Sequence, residues 1–294
     1  MILQRTLGSR IAKFAIYTVL ISMAVLCVLP LLNVLAVSLS SNSAIEAAEV
    51  SLWPVDFTLS AYEYVAKKKD FLASINVSLI RLVLGVTISM VVTILTAYPL
   101  SKEYSQFKGR TWFSWYFVFT ILFGGGFVPT YVIVRNLGLI DSIWALVLPG
   151  AVPVFNIILL LNFMRSLPKE MLEAAFIDGA GHWNVLLRIV MPASLPAIAT
   201  VTLFSIVGTW NEWFNGLLYM NMPENYPLAS YLQTVVVKLD LVNLSKEQIE
   251  LLGSLNNRSV KAAQIFLSAL PVLVVYPFLQ RYFMSGIVMG SVKE

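Results

Sequence analysis

An all-helical integral membrane protein with six crossings is what this sequence predicts, and three observations carry the prediction. Of 294 residues, 58% are hydrophobic and only 12% charged, whereas a soluble chain of this size covers itself with about a quarter charged residues. Six uncharged runs approach or exceed the roughly 20 residues that a helix needs to cross about 30 Å of hydrocarbon. No stretch alternates polar and apolar residues as a half-buried strand would. Because an unpaired backbone group in lipid costs several kcal/mol, the runs are read as helices.

The first run, 14–45, follows Arg5, Arg10 and Lys13 and so imitates a secretory signal, with a cleavage-like site at 36–38. It far exceeds a signal core of about 7–15 residues, and a retained anchor is expected. The others are 82–101, 111–134, 142–164, 189–211 and 262–280. The fifth continues as 213–219 beyond Glu212, so the crossings are expected to be subsegments of these runs. The connections 40–72 and 221–261 are too short for catalytic domains and have the length of helical caps or docking ledges. A single transmembrane domain over 1–294 is therefore expected, with one notable loop at 167–196.

Charge placement orients the chain. The net charge is +4, yet the basic residues are scattered between apolar runs rather than gathered on one face, which argues against nucleic acid. Lys102, Lys108, Arg110, Arg165, Lys169 and Arg188 occupy the short second and fourth connections, against Arg135 alone in the third. The positive-inside rule then puts those two connections and both termini in the cytoplasm. Cys27 is the single cysteine and cannot form an internal disulfide. His182, the single histidine, is read as a packing or headgroup contact, and neither metal-ligand spacing nor a nucleophile motif occurs. Catalysis by this chain is not expected.

The 167–196 loop reads as two short amphipathic helices. Pro168 suits a helix start, and Gly179 and Gly181 supply a left-handed stop. At about 100° per residue, Leu172, Ala175 and Phe176 share one face, and Glu170, Glu173, Ala174 and Ile177 the other. In the second helix Trp183, Leu186, Leu187 and Val190 form the apolar stripe, and Pro192 and Pro196 end it. Anionic lipid would repel Glu170, Glu173 and Asp178, so a protein with a basic groove fits this face better than a membrane surface does.

Arg81 and Glu212 fall at similar depth, each about eight positions inside the outer end of its span. Charges there are expensive, so they either pair within the bundle or snorkel separately to the outer interface. Trp210, Asn211, Trp213 and Asn215 surround Glu212; aromatic faces with amide donors suit a sugar path, and a tryptophan near the membrane boundary equally suits an interfacial belt. Asn76, Asn156 and Asn162 line a path or tie helices together.

Glu173, Ala174 and Ala175, followed by Asp178, Gly179 and Ala180 and then by Ile189 and Pro192, resemble the EAA motif of the permease subunits of binding-protein-dependent ABC importers. Pro129, Tyr131, Leu137, Gly138 and Leu139, with Trp210, Asn211 and Glu212, are similar to its carbohydrate branch. The tail, Gln280, Arg281, Tyr282 and Phe283 followed by Gly286, Gly290, Ser291 and Lys293, resembles permeases for oligosaccharides from complex polysaccharides, although Ser285 and Glu294 depart from that pattern.

The resemblance implies a type I importer fold working by alternating access in the inner membrane, and it implies partners. These are a second, related permease, two cytoplasmic ATPases that use ATP and Mg, an extracytoplasmic solute-binding protein and a carbohydrate substrate. It also implies roles in coupling: Glu173 would contact the ATPase, Ala174 and Ala175 would permit close approach, and Gly179 would make the bend, with Asp178 and Pro192 in the same motif. No G-x-x-x-x-G-K-[ST] string occurs, so ATP would be hydrolysed by another chain. Gly124, Gly125 and Gly126 lie in an apolar run without the lysine, where they permit close helix contact or a break. The competing reading is a secondary transporter driven by an ion gradient, whose common form has about twelve spans and intramembrane acids as ion sites.

Overall fold

The computed structural model describes residues 7–237 and 257–291, and among these there are helices and turns but no strand. Two compact units are distinguished. One comprises Met1–Lys69 with Val235–Ala269, and the other Asp70–Thr234 with Leu270–Glu294.

In the first unit, α1 (Leu7–Ser38) is one long apolar helix, exposed along most of its length. Such a surface is stable only against lipid or another apolar chain. It ends earlier than the apolar run 14–45, because serines take over the chain direction. Ser38 Oγ and Ser40 Oγ donate back to the carbonyls of Leu35 and Ala36, both at 2.7 Å. Ser41 then accepts from Ala44 N and caps α2 (Asn42–Glu46). Ser38 Oγ also lies 2.7 Å from Tyr62 Oη on α3 (Ser60–Lys67).

In the second unit, α4 (Lys69–Ser101) starts well before the predicted 82–101. Arg81 interrupts the hydropathy but not the helix, because its charge has a partner. The third crossing is a broken one: α5 (Arg110–Leu122) and α6 (Phe127–Asn136) meet at 108°. Gly126, at φ 79° and ψ 177°, adopts a conformation open essentially to glycine alone. No atom lies within 4 Å of where a Cβ on Gly124 or Gly126 would sit, so the triplet makes a break rather than a close helix contact.

The fourth crossing joins α7 (Ile143–Val147), through a turn holding Pro149, to α8 (Val154–Arg165), and the segments differ by 44°. After α9 (Lys169–Ile177) come α10 (His182–Val185), a π-helical turn Leu186–Val190 and α11 (Met191–Ala193). The chain then turns by 80° into α12 (Leu195–Asn211). Residues 189–193 of the predicted fifth run therefore belong to the loop. Pro192 does not end its helix either. The wider π turn just upstream is where a proline ring, which would clash with the preceding turn, is accommodated, and the break falls at Ser194, ahead of Pro196.

The chain continues through α13 (Phe214–Tyr219), α14 (Leu228–Val237) and α15 (Asn257–Ser291), the last covering the sixth run. Taking each bent pair as one span gives six candidate crossings. Of the resembling tail, the side chains from Arg281 onward, with Lys293 and Glu294, lie outside the described residues.

Candidate functional site

The first candidate site is the 167–196 loop, whose geometry follows from its local sequence. Pro168 precedes α9, where its missing N–H leaves no helical bond unmade. Gly179 (φ 79°) closes the helix: Ala180 N donates to Ala175 O at 2.9 Å and Gly179 N to Phe176 O at 3.1 Å, the paired bonds of a Schellman stop. Gly181 is not left-handed as expected. It is extended (φ −73°, ψ 162°) and caps α10, since one left-handed residue already turns the chain.

The two faces of α9 separate as the periodicity predicts. Ala175 is 7% exposed and joins a core with Ala97, Tyr98 and Leu100 of α4, Leu160 and Leu161 of α8, and Val185 and Leu186, against which Leu172 and Phe176 pack. Glu170, Glu173, Ala174, Ile177 and Asp178 are exposed, Ile177 at 85%. Ala175 is thus not on the outward face: its small side chain lets α9 approach its own chain, and Ala174 alone keeps the outward face low. Pro192 is exposed on α11.

One side of the loop is tied by charge. Lys169 Nζ binds Glu103 Oε1, both side chains being largely exposed. The bond to Lys169 holds the Glu103 carboxyl below its usual range, and Glu103 in turn raises Lys169. Behind α9, Lys102 is buried, with Nζ 4.3 Å from the centroid of the Tyr98 ring and 5.6 Å from that of Phe176, and burial pushes its ammonium below the usual lysine range. His182 is exposed, with its Nδ1 3.2 Å from Tyr98 Oη and its ring edge-on to Phe176.

The second candidate site is the break between α12 and α13. Arg81 is 4% exposed; its Nη2 donates to Glu212 Oε2 at 2.5 Å and its Nη1 to Glu212 O at 3.0 Å. Glu212, extended at ψ 114°, also accepts from Asn215 N at 2.8 Å, which satisfies one of the open donors in the first turn of α13. The pair forms, and separate snorkelling does not describe this arrangement. Trp210 is buried within its own chain, whereas Trp213 and Asn211 are exposed and Asn215 is half-buried. Asn156 ties α8 to α12, donating to Ser205 Oγ at 3.0 Å, while Asn76 and Asn162 are exposed.

Two further contacts had no clear sequence signal. Asp141 (φ 62°) accepts from Asn221 N and Asn225 Nδ2, both at 3.1 Å, and the Asn225 bond foremost holds its carboxyl below the usual range. At Gly216, an added Cβ would come within 2.0 Å of Ser230 Oγ. Among the described residues no group of histidines, cysteines and carboxylates could hold a metal ion.

The family described as binding-protein-dependent transport system inner membrane component matches residues 14–289. The chain belongs to that family.

Relatives of this inner membrane component in Bacillus subtilis (strain 168) include Protein LplC, 40% identical over 90% of this chain and 89% of the relative. They also include the polygalacturonan/rhamnogalacturonan transport system permease protein YtcP, 36% identical over 97% of this chain and 99% of the relative. The crystal structure of a bacterial ABC transporter involved in the import of the acidic polysaccharide alginate contains a chain that superposes with a TM-score of 0.86 at 32% identity, covering 95% of this chain and 98% of that one. The fold is that of a type I ABC importer permease.

Proposed function

We propose that this inner membrane component, a permease subunit of an ATP-driven carbohydrate importer, takes oligosaccharides and couples to its motor through α9. The observation that carries the coupling is the division of α9. Ala175 and its neighbours fix the helix to the transmembrane core, while Glu173, Glu170 and Asp178 are exposed around Ile177 and, among the described residues, none of the three is held in an ion pair. A rigid helix with a free acidic and apolar tip transmits force well to a basic socket. In this reading two cytoplasmic ATPases hold ATP and Mg, and this chain binds neither. A second, related permease covers the apolar surface of α1 and α5, a solute-binding protein delivers the sugar from outside, and both termini lie inside. Binding-protein dependence is part of the family's own description.

The substrate class we infer is a uronate-bearing oligosaccharide. Support comes from the names of two long-range relatives, a permease for polygalacturonan or rhamnogalacturonan and an importer of the acidic polysaccharide alginate. The ion-gradient reading is the weaker one, since the one acid it offers within the apolar runs, Glu212, is engaged in a salt bridge with Arg81.

The coupling test uses the assembled transporter with Glu173→Lys. The variant is expected to insert and assemble normally but to lose uptake and stimulation of ATP hydrolysis by loaded binding protein; normal values for both would remove the coupling role. Substrate class is tested separately, by competition of short galacturonate oligomers and of neutral oligomers of equal length for uptake. Equal competition would remove the uronate assignment and leave the coupling role standing.

A further inference from the structure

Beside the loop, at the end of α4, lies a cavity of about 320 Å³ that the coupling reading does not use. Its walls are apolar where they follow the helix, with Leu95, Pro99, Phe107, Trp183 and Leu186, and polar at one end, with Lys102, Gln106 and His182. Lys102 is 6% exposed, and among the described residues no carboxylate pairs with it. The adjacent Glu103 is turned to Lys169 instead. Two more cations gather at this end of α4: Arg165 Nη2 donates to Leu100 O at 3.0 Å and Arg110 Nη1 to Lys102 O at 2.8 Å. Both use carbonyls that the finished helix leaves open, and neither forms an ion pair among the described residues. A buried ammonium without a counter-charge is costly, and two aromatic rings compensate it only in part.

We propose that this cavity binds an anionic amphiphile bearing a phosphate, with the phosphate on Lys102 Nζ and an apolar chain along Leu95, Pro99 and Leu186. Three properties select that chemistry. Lys102, the one Lys or Arg among its lining residues, asks for an anion, the apolar wall asks for hydrocarbon, and the cavity lies where a 33-residue apolar helix ends, a position that a helix crossing a bilayer brings to the headgroups. The depressed lysine ionisation that burial imposes is what a bound phosphate would reverse. Since Nζ also sits over the Phe176 ring of α9, an occupant would bear on the seat of that helix. The site depends on the chain spanning a bilayer, and not on what α9 docks against.

The test uses the full transporter in phosphatidylcholine nanodiscs containing a photoactivatable phosphatidylglycerol. Crosslinked peptides are mapped by mass spectrometry, with soluble glycerol phosphate as competitor. Label is expected on residues 95–107 and 182–187, falling about fivefold or more in Lys102→Gln and retained in Lys102→Arg. Leu95→Trp keeps every charge and fills the cavity; it should lose the label too, which covers the case in which Lys102→Gln fails to assemble. Label that resists glycerol phosphate supports a lipid held by its apolar chain; label suppressed by it would overturn the amphiphile and leave a site for soluble phosphate. Wild-type labelling absent from these segments, or undiminished in Leu95→Trp, would overturn the proposal.

Discussion

Gly179 shows how one residue sets the loop. Its positive φ closes α9, and no neighbour lies within 4 Å of its missing Cβ, so Gly179→Ala introduces strain and no clash. A cost of about 1 kcal/mol is expected, read as faster hydrogen exchange in residues 175–181 with little change in overall melting. Arg81 and Glu212 form the opposite case, a contact joining distant residues. Removing the acid by Glu212→Gln leaves a buried guanidinium without its counter-charge and should cost about 3 kcal/mol, measured as thermal stability in detergent. With Arg81→Gln added, the loss should fall short of the sum of the two single losses by about 1–3 kcal/mol. Strict additivity would mean that the bond contributes nothing. Charge at bilayer depth was legible in the sequence because it is rare there. Ala175 was harder: its helical phase gives its face, but not that the face is wholly occupied by its own chain.

At the scale of elements, sequence served well for what is periodic and poorly for what is bent. Hydropathy finds the cores of α1, α4 and α15, because lipid and the core both select apolar residues. It does not find the 80° turn at Ser194, since Met191, Leu195 and Ile198 are apolar on both sides of it. The approach of α13 to α14 was equally hidden, as a glycine in an apolar segment has many uses. Gly216→Ala must push α14 away and should destabilise by about 1–3 kcal/mol, with uptake lost at unchanged insertion. The segment after α13 is tied through Asp141, whose carboxyl ionises more readily in the fold than in the unfolded chain. Its contribution is therefore complete above the ordinary aspartate range and lost as pH falls through the depressed value. The exchange protection factor at 219–226, corrected for the intrinsic pH dependence of amide exchange, should fall on acidification in the wild type, and in Asp141→Asn that fall should vanish.

For the whole molecule, number of crossings and direction are separate questions. Three crossings follow from length and composition, and six when each bent pair counts as one, but direction rests on a few cations in short connections, among them Lys102, Arg110 and Lys169. In a Cys27→Ala background, Ile177→Cys should react with an impermeant thiol reagent only from the cytoplasmic side, and Trp53→Cys only from the other. The reverse pattern would invert the topology.

The unwound stretch at 123–126 has one more implication. Its residues are all exposed; Phe123 N still donates to Phe119 O and Gly126 O accepts from Thr130 Oγ1, but the peptide groups of Gly124 and Gly125 between them lie outside both helices. Hydrocarbon tolerates such groups only beside water or another polypeptide. A lone copy of this subunit would thus be poorly solvated at that depth, and solitude itself, more than any single weak contact, is what should make it prone to degradation before assembly.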